Sequence, residues 1–243
     1  MKFPLEFAPS LSHPAVVGTV HSALSLSAAL KIRTGGCDWL ELRVDNFFPS
    51  QVAGLLCAAP KLRIPRIVTV RHASEGGTAK GMTARERRGL YTDFLPVAGL
   101  VDIELRQARA MAAIIAQARA AGIGIILSYH DFRRTPGAAK LREMARRARE
   151  AGADIFKVAT TAREPRDLAT LIEFLADEKE KGPIAVMGMG RFGKVSRLVL
   201  AEAGSCLNYG YLGKPNASGQ WPVALLKARI AELQPTTPSA PGD

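Results

Sequence analysis

Apolar and polar positions along this chain change rhythm eight times. Short apolar runs rich in β-formers, read as buried strands, fall at 15–20, 39–44, 66–71, 101–104, 123–129, 155–158, 184–189 and 206–211. Between them the apolar positions recur at helical spacing, which predicts helices over 24–34, 50–58, 84–98, 108–121, 138–151, 165–181, 195–203 and 223–233. Gly35-Gly36, Gly122, Gly152, Gly182 and Gly204 follow helical stretches, where a left-handed cap is wanted. Thr83 and Glu86 have capping-box spacing, and Pro165 suits a first helical position. Eight strand–helix units in 243 residues predict an α/β fold, a single-domain (β/α)8 TIM barrel over residues 1–233. An open doubly wound sheet is the alternative, but it usually has five or six strands. The last ten residues, 234–243, carry three prolines and few apolar groups, so a flexible tail is expected there.

Functional groups of such a barrel collect at the C-terminal ends of its strands. Those ends carry Glu41 and Arg43, Arg71, Glu104, His130, Lys157 and Met189. Lysine is rarely buried unless it is paired or has a chemical task, and a desolvated amine can attack a carbonyl. His130, about 27 residues earlier on a neighbouring strand, would supply proton transfer. The plain alternative is a lysine at a strand edge with its head in water, and the local sequence leaves both open.

The other candidates are read the same way. Glu41 and Arg43 stand two apart on a strand and so share a face with Trp39, either as a substrate-binding pair or as an ion pair with each other. Glu75 lies in a Gly-rich loop after Arg71 that is suited to fold over a ligand. Gly188 to Lys194 nearly matches a phosphate-binding loop, but Val195 stands where Ser or Thr is required, so a nucleotide triphosphatase is rejected. The helix start there, with Arg197 one turn in, is a candidate anion seat, and Arg197 a carboxylate clamp. Asn216 and Gln220 sit in a small-residue loop ahead of the last helix. His72, His130, Glu75 and Glu104 lack the short spacings of metal motifs, so no metal is expected.

Composition narrows the classes further. A chain that is 47% apolar and 6% aromatic has ample aliphatic core. Pro4, Glu6 and Pro9 interrupt any early apolar stretch and no run approaches the ~18 residues of a membrane span, so neither signal peptide nor membrane is expected. Cys37, Cys57 and Cys206 show no paired spacing, which suits a reducing, cytoplasmic setting. The net charge of +11 invites nucleic acid. Arg85, Arg87 and Arg88, and Arg142, Arg146, Arg147 and Arg149, instead read as solvated helix faces, and an anionic small molecule is the preferred partner.

Six segments in order resemble the type I 3-dehydroquinate dehydratase family. They are Glu41-Leu42-Arg43-Val44-Asp45; Arg71 with Ser74-Glu75-Gly76-Gly77; Ser128-Tyr129-His130-Asp131-Phe132; Ala153-Asp154-Ile155-Phe156-Lys157; Gly188-Met189-Gly190 through Ser196-Arg197-Leu198; and Ala217-Ser218-Gly219-Gln220. The resemblance implies a cytoplasmic Schiff-base lyase of the shikimate pathway, usually a homodimer, without metal or dissociable cofactor. By analogy Lys157, His130 and Glu75 are catalytic, and Arg197 holds the carboxylate of 3-dehydroquinate. Glu41, Arg43, Arg71, Asn216 and Gln220 would contact the rest of the substrate and its surroundings. Two positions depart from the family: Asn216 and Gly18 stand where serines are usual. A class I aldolase, or a silent barrel that binds a metabolite, are the rival readings.

Overall fold

The computed structural model describes residues 14–32 and 35–234. The expected tail beyond Gln234, the early segment with Pro4, Glu6 and Pro9, and the last two positions expected in the first helix lie outside the described residues. Strands and helices alternate throughout: β1 (Ala15–Val20), α1 (Ala23–Lys31), β2 (Trp39–Arg43), α2 (Pro49–Ala58), β3 (Arg66–Thr69), α3 (Ala84–Phe94), β4 (Leu100–Glu104) and α4 (Ala112–Ala120). The second half continues with β5 (Gly124–Asp131), α5 (Ala138–Glu150), β6 (Ile155–Thr161), α6 (Pro165–Glu178), β7 (Ile184–Met189), α7 (Gly193–Glu202), β8 (Leu207–Tyr211) and α8 (Val223–Leu233).

All ladders are parallel, in the order β7-β6-β5-β4-β3-β2-β1-β8, which makes the fold a (β/α)8 barrel. Among the described residues no ladder joins β7 to β8. Cys206 N–H donates to Ile184 O at 2.9 Å, and Ser205 Oγ accepts from Val186 N at 2.9 Å. Those bonds close the lower part of the seam.

Alternation along the strands separates two apolar layers. Val16, Leu40, Leu42, Val68, Val101, Ile103 and Val158 face outward into the helices. Val17, Trp39, Ile67, Leu100, Ile126, Ile155 and Leu207 fill the interior. The inward rows then turn polar toward the mouth, through Glu41, Thr69, Arg71, Asp102, Ser128 and Lys157, all buried. Helix boundaries follow the expected chemistry. Thr83 and Glu86 form the capping box of α3, worth about 1 kcal/mol, and Gly122, Gly152, Gly182 and Gly204 have positive φ.

Two boundaries differ from expectation in a way that matters. β5 and β6 run three residues further than predicted at their C-terminal side for β6 and two for β5, to Thr161 and Asp131. Polar residues end an apolar run but not a strand whose ladder continues, and His130 and Asp131 still pair with Ala159 and Thr160. Lys157 therefore stands inside β6 rather than at its end, and its amine rises from below the rim.

Candidate active site

A cavity of about 90 Å³ opens at the C-terminal mouth, with Glu41, Arg71, Glu75, His130, Lys157 and Arg197 in its wall. Arg43, Asn216 and Gln220 line it too, so every site residue read from the sequence reaches one place. A wider cleft of about 640 Å³ between α2 and α3 is walled largely by apolar groups such as Phe47, Val52, Met82 and Leu90, and has no comparable cluster of paired ionisable groups.

Lys157 Nζ lies 2.8 Å from Asp102 Oδ2, 3.5 Å from Glu41 Oε1 and 3.9 Å above the Tyr209 ring. Asp102 was not among the sequence candidates. Its signal was its spacing, two residues before Glu104 and so on the same face of β4. It also accepts from Arg71 Nη2 at 2.9 Å and from Ser128 Oγ at 2.6 Å. Burial opposes its ionisation, but Arg71 and Lys157 hold its carboxyl far below the usual carboxylate range.

Of the two readings of Glu41 and Arg43, the ion pair with each other does not form among the described residues. Arg43 instead makes a two-pronged contact with Asp45, at 3.0 and 2.8 Å, and donates to Gly76 O. Glu41 accepts from Thr69 Oγ1 at 3.1 Å and faces Lys157. The chain turns sharply after β2, which brings Asp45 back to Arg43. Asp45 also accepts from Arg71 N, so the start of the Gly-rich loop is anchored to β2. Gly76 has φ +87°, and a Cβ there would meet the Phe132 ring at 2.5 Å, so the loop can approach the mouth only without a side chain.

His130 is held by one carboxylate oxygen. Glu75 Oε2 accepts from His130 N–H at 2.9 Å and contacts Nδ1 at 3.1 Å. Burial, Arg71 and Lys157 push the imidazole well below its ordinary pKa, against the pull of Asp102. Burial raises the Glu75 carboxyl to about 7, Glu104 adds to the rise, and Arg71 works against it.

Arg87, read from the sequence as part of a solvated face, is buried. Its guanidinium donates to Val70 O and, at 2.6 Å, to Glu104 Oε2. Glu104 in turn binds Arg71 Nη1 and His72 N–H. Arg87 shares the buried face of α3 with Tyr91 and Phe94, so helical spacing places it inward, whereas its partner on β4 is not visible in local spacing. Arg142 and Arg146 do form exposed pairs, as expected.

Arg197 is buried and has no carboxylate partner among the described residues. Nε donates to Tyr209 O at 2.9 Å, and Nη1 to the carbonyls of Gly188, Gly193 and Gly219. Nη2 takes part in none of these bonds. Burial lowers the guanidinium to about 10. Ser196 Oγ contacts Gly188 N–H and the carbonyls of Gly188 and Gly193, which ties the first turn of α7 to the end of β7. Gly193 packs on Gly219 so tightly that a Cβ would come within 2.8 Å. The cation here is thus the side chain of Arg197, set among backbone carbonyls.

Gln220 Oε1 accepts from Asn216 N and Ala217 N at 3.0 and 3.2 Å, so its carbonyl shapes the loop and only its amide donors remain for a ligand. Asn216 Oδ1 and Tyr209 Oη are buried and have no hydrogen-bond partner among the described residues. The departure at Gly18 faces away from the cavity. A Cβ there would point at Leu212 and Leu40 in the outer layer, while the next residue, Thr19, lines the cavity.

Among the described residues no helix is long and apolar enough to cross a membrane. Residues 15–234 match the family model described as Type I 3-dehydroquinase. A catabolic 3-dehydroquinate dehydratase of Acinetobacter baylyi is 33% identical over 210 residues, which span 82% of this chain and 77% of the relative. The 3-dehydroquinate dehydratase of Methanosarcina barkeri is 34% identical over 237 residues, 92% and 96% of the two chains. The crystal structure of the Geobacillus kaustophilus 3-dehydroquinate dehydratase superposes with a TM-score of 0.83 at 26% identity, covering 91% of each chain. A barrel whose mouth joins a buried lysine, a carboxylate-held histidine and an arginine without a counter-ion thus has its relatives among hydro-lyases, and the chain belongs to the type I 3-dehydroquinase family.

Proposed function

We propose that this chain dehydrates 3-dehydroquinate to 3-dehydroshikimate by syn elimination through an imine on Lys157. The observation that carries the reading is one cavity that Lys157 and His130 enter from adjacent strands, with Ser128 paired to Lys157 and His130 two residues beyond. The Lys157 amine, once deprotonated, adds to the C3 ketone and water leaves, giving a protonated imine. That cation withdraws electrons from C2 more strongly than the ketone does. His130 Nε2 removes the C2 proton, then delivers it to the departing C1 hydroxyl, which leaves as water. A second water hydrolyses the imine and frees the product.

Neighbouring groups support these roles. A neutral imidazole is the form that accepts a proton, and burial with two nearby cations keeps His130 in it. Glu75 fixes the ring and, while ionised, keeps the hydrogen on Nδ1. Arg197 takes the substrate carboxylate, because it is the buried guanidinium of the cavity with no acid beside it. Glu41, Arg43, Arg71, Asn216 and the Gln220 amide surround the hydroxyls.

Borohydride reduction in the presence of 3-dehydroquinate, followed by peptide mass mapping, tests the reading. A stable adduct is expected on Lys157 and none in Lys157→Ala, whose turnover should fall by at least ~10⁴-fold. His130→Ala should still form the adduct while eliminating almost no water. An adduct elsewhere, or turnover by Lys157→Ala, overturns the proposal.

A further inference from the structure

Glu75 uses only one of its two carboxylate oxygens on His130. The other, Oε1, is buried and has no hydrogen-bond partner among the described residues. Arg106, in the turn that follows β4, has its guanidinium over the Tyr129 ring at 5.3 Å and its Nε 3.8 Å from that oxygen. Its side chain is 58% exposed, so it meets the buried carboxylate from the solvent side. The other charged groups facing Glu75 belong to the closed network: Arg71 after β3, Glu104 on β4 and His130 on β5. Arg43 of β2 binds the adjoining Gly76 carbonyl, and Lys157 of β6 acts on His130.

We propose that Arg106 is a positioning residue for the His130 base, acting through the unbonded oxygen of Glu75. The inference rests on the reading of His130 as the proton-transfer group. An ionised Glu75 accepts the Nδ1 hydrogen and leaves the lone pair on Nε2. A protonated Glu75 donates to Nδ1 instead, and the ring hydrogen moves to Nε2, a tautomer that cannot take a proton from substrate there. Burial has placed the Glu75 carboxyl at about 7, so near neutrality a modest charge decides which tautomer prevails. Arg106 favours the ionised carboxylate. Removing it must move the protonation of Glu75, and the loss of activity that follows, to higher pH.

The contribution of an exposed ion pair corresponds to a shift of roughly 0.2–0.7 pH unit, or about 1.5- to 5-fold in rate below the midpoint. Two measurements on the wild type, Arg106→Gln and Arg106→Lys test this: the pH profile of kcat/KM with 3-dehydroquinate, and the ring-nitrogen NMR signals of His130 against pH in substrate-free protein. The acidic limb and the tautomer midpoint should both move to higher pH in Arg106→Gln, and by less in Arg106→Lys. If neither moves, or if Arg106→Lys moves as far as Arg106→Gln, the inference is overturned. Absence of turnover in the wild type would strike the proposed reaction instead, and the NMR midpoint would still judge the role of Arg106.

Discussion

The two sides of the cavity handle buried charge in opposite ways. On the side built by β2 to β6, each buried cation meets an acid: Arg71 faces Asp102 and Glu104, Lys157 faces Asp102 and Glu41, and Arg87 faces Glu104. On the side built by β7 and β8, Arg197 meets only carbonyl oxygens among the described residues, and their partial charges hold its geometry without neutralising it. The pKa directions express the same contrast. Acids outweigh burial and raise Arg71 well above its ordinary value, whereas burial alone brings Arg197 down to about 10. One wall thus neutralises its own charges, and the other leaves a buried cation without a neighbouring acid among the described residues.

Three experiments break or sharpen that contrast. The largest effect is expected from Asp102→Asn, which leaves Arg71 and Lys157 short of a shared counter-charge. Breaking a buried pair costs about 3–5 kcal/mol, so denaturant unfolding should show a loss of that size. A loss under about 1 kcal/mol would mean that the paired wall is not held by Asp102.

Next is Arg197→Gln, judged by ligand. At a concentration 100 times its Kd, 3-dehydroshikimate should stabilise the wild type by about 2.7 kcal/mol, and the same concentration should stabilise the variant far less. Equal stabilisation would remove Arg197 as the carboxylate partner. The smallest effect is expected from Thr19→Val. Its hydroxyl reaches Glu41 only at 3.5 Å, so stability should change by no more than ~0.5 kcal/mol and KM should stay within about twofold.

The same contrast explains which parts of the molecule were legible in the sequence. Strand number and barrel class followed from apolar rhythm, because each strand buries both faces and each helix one. Lys157, His130 and Glu75 were legible as isolated polar groups beside apolar runs and within a Gly-rich loop. Asp102 was overshadowed by Glu104, which shares its face of β4, and Arg87 was grouped with its exposed neighbours although Tyr91 and Phe94, four and seven residues on, share its buried face of α3. Spacing puts both on inward faces, but the charged groups they meet there sit on other elements, and local spacing carries no record of those. The partner of Arg43 was misread for a related reason. Two residues on one strand face share a direction, but the turn after β2 offered Asp45 at closer range. Arg197 was legible as the arginine one turn into the helix after β7, but the carbonyls of Tyr209 and Gly219 that hold it come from other segments.

One consequence follows from the missing ladder between β7 and β8. Arg197 spans that gap, bonding Gly188 O at the end of one strand and Tyr209 O on the other. The cylinder thus has a parting line whose upper clasp is the very group assigned to seize the incoming acid. Filling the mouth should quiet the breathing of the wall along this line. Deuterium uptake by amides near Gly188 and Tyr209 would slow when product is bound, while amides flanking the continuous β4–β5 junction would keep their pace.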